Sequence, residues 1–94
     1  MIYEIRRSSQ FKKDFKQCLK RGLNIDSFRE VLELLQMGAV LPEKYCDHPL
    51  HPCKEYMNCR ELHIDHDWLL IYQYSNETVI LYLVRTGSHS DLFK

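Results

Sequence analysis

Nothing in this 94-residue chain approaches the roughly 18 consecutive apolar residues that a membrane-spanning helix needs. The opening run Met1–Ile2–Tyr3–Glu4–Ile5–Arg6 has charges but no long apolar stretch after them, so no signal peptide is expected and a cytoplasmic location follows. Internal repeats, linkers and low-complexity segments are also missing, so residues 1–94 are expected to form a single domain. Glycine and proline are scarce, at three each, and all three prolines (Pro42, Pro49, Pro52) fall between residues 39 and 57. No excess of either charge exists, with 13 basic and 13 acidic residues. The four cysteines (Cys18, Cys46, Cys53, Cys59) accompany no export signal, so they read as thiols rather than a disulfide scaffold. Against these absences, 45% hydrophobic and 12% aromatic content is enough for a true core and excludes disorder.

The neutral total conceals an uneven distribution. Residues 1–22 hold seven basic and two acidic side chains, a local +5, and the remainder holds six against eleven, a local −5. Such a patch can hold phosphates, with a merely solvated helix face as the plainer alternative. Ile2–Arg6 reads as a short strand. Ser8 or Ser9 can cap a helix on which Phe11, Phe15, Cys18 and Leu19 recur at helical spacing. Gly22 suits the left-handed residue that ends it. Asn24 or Asp26 opens a second helix with an apolar seam of Ile25, Phe28, Leu32 and Leu35, widened by Val31 and Leu34 and stopped at Gly38. The short link between the helices predicts an antiparallel hairpin.

Residues 39–57 show little periodicity and read as a long loop of the kind that often carries function. Three strands follow, Cys59–Ile64, Trp68–Tyr74 and Thr78–Arg85, joined by short turns into an antiparallel meander. Ser88–Lys94 reads as a tail or a single helical turn. The class is therefore α+β, a small antiparallel sheet with an N-terminal strand and a two-helix hairpin on one face. The opposite face is left open for a ligand. Strand period assigns Leu62 and Ile64 to the helices, and Glu61 and His63 to the open side.

Several separated motifs now stand in order: Asp47–His48–Pro49–Leu50, Arg60–Glu61–Leu62–His63, Asp67–Trp68–Leu69–Leu70–Ile71–Tyr72, Arg85–Thr86–Gly87–Ser88–His89 and Leu92–Phe93. Together they resemble the YafQ branch of the RelE/ParE toxin superfamily, over nearly the whole chain. The resemblance implies a ribosome-dependent messenger RNA endonuclease, silenced by a cognate antitoxin that would use the open sheet face or the helical hairpin. It implies an active centre of His48, His63, Asp67 and His89, with Glu61 and Phe93 at matching positions, and no metal or other cofactor.

Those residue types suit that chemistry. RNA supplies its own nucleophile, the 2′-hydroxyl, so the enzyme needs a base, an acid and positive charge for the phosphorane. Histidine serves both proton roles near neutral pH. The expected roles are His48 or Asp67 as base and His89 as acid. Arg85 and His63 would steady the phosphate, and Glu61 would orient a histidine. Trp68 or Phe93 would stack on a base, and Lys12, Lys13 and Lys16 of the basic helix would bind RNA phosphates. The competing structural readings are a packed Trp68, an Arg85 paired with Asp67 or Glu61, an Asp67 that only serves its turn, and a Phe93 that only pins the tail.

Three features depart from the family pattern. The stretch from His48 to Arg60 is about two residues longer than usual. His51–Pro52–Cys53–Lys54 replaces a glycine-containing segment, so an altered loop could re-aim His48. The charge balance is near neutral. The loop also raises a zinc alternative through Cys46, His48, His51 and Cys53, with Cys59, His63 and His66 nearby, although that spacing matches no recognised zinc module. A gyrase-binding toxin of the ParE kind and a homologue that binds antitoxin without cutting RNA are the rival functions. The histidines at 48, 63 and 89 favour the nuclease, since a purely binding toxin needs no titrating groups in a groove.

Overall fold

Ser8 is where the N-terminal strand becomes a helix. Its extended backbone lets Oγ accept from the Phe11 amide (2.9 Å), and the same hydroxyl donates to the Val84 carbonyl (2.7 Å). One side chain thus caps a helix and ties it to the last strand. The computed structural model describes residues 2–50 and 58–93. Within them lie β1 (Glu4–Arg7), α1 (Ser9–Lys20), α2 (Ile25–Gln36), a 3-10 turn (Glu43–Tyr45), β2 (His48–Pro49), β3 (Arg60–Asp65), β4 (Trp68–Ser75), β5 (Ile80–Gly87) and α3 (His89–Leu92). Asn24 caps α2 by accepting from the Asp26 amide (2.9 Å). Gly22 ends the α1 region at φ +77°, the left-handed conformation that a side chain resists.

The strands form one sheet in the order β1-β5-β4-β3-β2. The expected antiparallel meander β3-β4-β5 is present, and β2 adds antiparallel to β3. The α+β architecture holds, but the sheet is mixed, because β1 runs parallel to β5 from Glu4↔Ile80 to Arg7↔Leu83. The helical hairpin explains this direction. Parallel strands need a long crossover, and α1 with α2 carries the chain across one face from β1 at one edge toward β3.

Phe11 and Cys18 of α1 and Phe28, Val31 and Leu35 of α2 bury against Leu62, Ile64, Leu70, Tyr72, Leu81 and Leu83. Fully burying such aliphatic and aromatic side chains stabilises by roughly 1.5–3 kcal/mol each. Leu19, expected on the α1 seam, is instead 43% exposed, because Cys18 and Phe15 already fill the contact with the sheet. The second face is less open than expected. Cys59, Leu69 and Ile71 pack there under Leu92 of α3, with Leu50 and Val84 alongside. No helix among the described residues is long and apolar enough to cross a membrane.

Candidate active site

The loop before β2 is shaped by Cys46, which takes a left-handed conformation (φ 50°) as the 3-10 turn ends. Its carbonyl accepts a hydrogen bond from His48 Nδ1 at 2.7 Å. A carbonyl can only accept, so Nδ1 carries the proton and Nε2 is the nitrogen presented to the site. β2 then pairs His48 with Glu61 across the strands, which brings His48 Nε2 to 3.5 Å from Glu61 Oε1. The altered 51–54 segment lies outside the described residues, and His48 nevertheless meets Glu61. Glu61 lies on the expected face but is buried, only 4% exposed, beneath the edge strand and the α3 side of the sheet.

Two residues further along β3, on the same face, stands His63. Its ring lies 5.8 Å from that of His89, the first residue of α3. Asp67 in the β3–β4 turn holds His89 twice, accepting from its backbone amide and from ring Nδ1, each at 3.1 Å. These bonds leave Nε2 of His89 for a substrate. They also lower the proton affinity of Asp67, first through the His89 amide and then through its ring, so Asp67 stays a carboxylate. Phe93 lies with its ring 6.2 Å from His89 and is 44% exposed.

α3 is only four residues long, and its placement rests on polar anchors. Ser88 accepts from the Asp91 amide, and Asp91 Oδ2 accepts from the Ser88 amide (2.9 Å), completing a capping box. Arg21, at the end of α1, grips the same carboxylate through two bonds of 2.6 and 3.1 Å. These contacts, led by the guanidinium, hold the Asp91 carboxyl well below the usual carboxylate range. Gly87 allows the close approach: a Cβ there would meet Asp91 Oδ2 at 2.9 Å, at a backbone φ of +152°.

Two expected residues are placed differently. Trp68 does not face solvent. It is 1% exposed, stacks over Phe28 with centroids 6.1 Å apart, and donates through Nε1 to Thr86 Oγ1 at 2.8 Å. It cannot stack on a nucleobase from there, and the plainer reading of a core tryptophan is the correct one. Arg85 pairs with neither Asp67 nor Glu61. Its Nε and Nη2 bind Asp14 of α1 at 2.8 and 3.1 Å, just past the register shift after which β5 pairs Arg85 with Ile71 rather than continuing the phase of Leu83 opposite Tyr72. Lys12, Lys13 and Lys16 are exposed along α1. No supporting role was read from the sequence for Arg21, Asp91, Asp47, Arg60 or Tyr72, although Asp47, Arg60 and Tyr72 fall within the motifs quoted above. Only Ser88-x-x-Asp91 carried a readable signal, the spacing of a capping box.

Side-chain donors of Glu61, His63 and His89 all lie within 4.8 Å of one another, so these three residues could hold a divalent cation. That set is not the Cys/His loop weighed as a zinc alternative, of which His51 and Cys53 lie outside the described residues.

A mixed five-stranded sheet with a helical hairpin on one face and a histidine cluster on the other marks the class as a bacterial toxin of a type II toxin–antitoxin system. Within that class the chain belongs to the YafQ family, whose model, "Bacterial toxin of type II toxin-antitoxin system, YafQ", matches residues 3–94. It is similar to the mRNA interferase toxin YafQ of Escherichia coli (strain B / BL21-DE3), with 35% identity over 91 residues, 96% of this chain and 95% of the relative. Among solved structures it resembles the E. coli DinJ–YafQ toxin–antitoxin complex, with a TM-score of 0.87, 33% identity and 100% of both chains covered. It also resembles a metal-bound toxin from Helicobacter pylori, with a TM-score of 0.88, 39% identity, 99% of this chain covered and 100% of the other.

Proposed function

We propose that this toxin, an endoribonuclease of the mRNA interferase kind by family, cuts messenger RNA on the ribosome through the RNA's own 2′-hydroxyl. The observation that carries the reading is the facing pair His63 and His89, 5.8 Å apart, with Asp67 bound to His89 Nδ1. His89, oriented through Nδ1, offers Nε2 as the acid that protonates the leaving 5′-oxygen. Asp67 supports the imidazolium, as the carboxylate of a catalytic triad does. Asp67 Oδ1 is taken up by the His89 amide and ring, so of the two candidate bases, His48 and Asp67, we assign the task to His48. With Nδ1 committed to the Cys46 carbonyl, His48 receives the 2′-hydroxyl proton at Nε2, and buried Glu61 stabilises the resulting charge. His63 lies between them, against the phosphate. Arg85, bound to Asp14, adds positive charge from the end of β5. The products are a 2′,3′-cyclic phosphate and a 5′-hydroxyl.

The E. coli relative's structure is a complex with the antitoxin DinJ, and a cognate antitoxin is the partner that a type II system entails. A toxin acting on ribosomes would work in the cytoplasm.

The test is cleavage of a message in a reconstituted translation reaction. Wild type should cut within translated codons, and His63→Ala and His89→Ala should each lose about 10²–10⁴ in rate while remaining folded. Intact message with wild type would redirect attention to gyrase inhibition, or to a toxin that binds antitoxin without cutting RNA.

A further inference from the structure

His48 stands on a strand only two residues long, paired to β3 by His48↔Glu61 and Pro49↔Arg60. So short a ladder is a weak clamp for a side chain that must meet a substrate within tenths of an ångström. The residue before it supplies the missing rigidity. Asp47 accepts from Arg60 Nε and Nη2 through Oδ2, at 3.2 and 2.8 Å, and from the Tyr72 hydroxyl through Oδ1. Arg60 and Tyr72 are themselves direct cross-strand partners on β3 and β4, and Tyr72 is 1% exposed, so the platform is part of the core. Successive residues of an extended segment point to opposite faces. Asp47 is therefore a peg driven toward Tyr72 on the helix side, and its neighbour His48 is turned toward Glu61 on the other. The Cys46 carbonyl, on the far side of the peg, receives His48 Nδ1.

We infer that Asp47 is a positioning residue that, through Arg60 and Tyr72, fixes the orientation and tautomer of His48. The structural part stands alone, and its consequence for rate rests on the nuclease reading above. Asp47→Asn keeps the shape but sets amide hydrogens against two donors. Tyr72→Phe keeps the buried ring and removes one donor, so it tests the network where Asp47→Asn fails to fold.

The experiment combines ¹⁵N-edited NMR of the histidine rings with steady-state cleavage on programmed ribosomes. In both variants the His48 signature of a protonated Nδ1 should weaken or shift, while the ring signals of His63 and His89 stay in place. kcat should fall about tenfold to a hundredfold, the scale of loss from misplacing a catalytic group, with KM unchanged and an altered pH–rate profile. A purely structural role would lower the melting temperature and active fraction but leave the His48 ring and pH profile as they are, and that result overturns the inference. If His48 responds but wild type cuts no message, the positioning stands and the nuclease reading fails. If message is cut and His48 does not respond, the reverse holds.

Discussion

Two aromatic residues of the family motifs serve opposite ends. Trp68 bridges α2 and β5 by stacking on Phe28 and donating to Thr86, whereas Phe93 lies half in solvent beside His89. Trp68→Ala should cost about 3–5 kcal/mol of stability, and chemical denaturation measures it. Phe93→Ala should leave the denaturation midpoint nearly unchanged and raise KM for message, because an exposed ring is what can stack on a base. Equal destabilisation by the two would contradict the division. Asp67 was legible as a turn residue, since aspartate tolerates the left-handed conformation it takes here at φ 49°. Its grip on His89 was not, because the two are 22 positions apart and only the folded sheet brings them together. The ion pair of Arg85 with Asp14 was likewise not legible, because the two are 71 positions apart and the β4–β5 register shifts between Ile71 and Tyr72, just where Arg85 joins the ladder.

Among the elements, α3 shows most clearly how polar anchors position a candidate catalytic group, His89. Four residues cannot hold a helix by propensity, so the capping box and the Arg21–Asp91 ion pair do so. The pH consequence follows from the sign. Asp91 titrates lower in the folded chain than in the unfolded one, where the ordinary value is 3.8. Its stabilisation is thus fully present above that ordinary range and disappears only as the pH falls through the depressed folded value. Asp91→Asn should therefore lower the melting temperature at neutral pH, by an amount in keeping with about 1 kcal/mol for a lost cap. Wild type and variant should converge only in strong acid. Convergence already at pH 5 would mean that Arg21 does not hold this carboxylate. Gly87→Ala should disturb the same anchor, through contact with Asp91 and an unfavourable φ, and slow cleavage along with it.

For the whole molecule, the charge asymmetry and the proton chemistry make separate predictions. The basic residues of α1 lie on the helical side of the sheet, and His48, His63 and His89 lie on the other. Changing Lys12, Lys13 and Lys16 together to glutamate should raise KM on ribosomes and flatten its salt dependence, with single-turnover cleavage at saturation preserved. An unchanged salt slope would show that α1 is a solvated face only. A cation bound by Glu61, His63 and His89 would occupy nitrogens on which the proposed reaction depends. Micromolar zinc should therefore inhibit cleavage and a chelator should restore it. Stimulation by zinc would contradict acid–base chemistry at these histidines.

Local pattern was enough for much of this protein. The helix starts, narrowed to Ser8 or Ser9 and to Asn24 or Asp26, the antiparallel meander, the face shared by Glu61 and His63, and the family itself all follow from neighbouring residues and their periods. The parallel β1–β5 pairing, the burial of Trp68, the covering of the second face by Leu92 and the Asp47–Arg60–Tyr72 network do not. Periodicity states which side of a strand a residue occupies, but not which strand lies beside it or what covers it. Those choices depend on contacts between residues far apart in the chain, and only the folded packing of the sheet against its helices determines them.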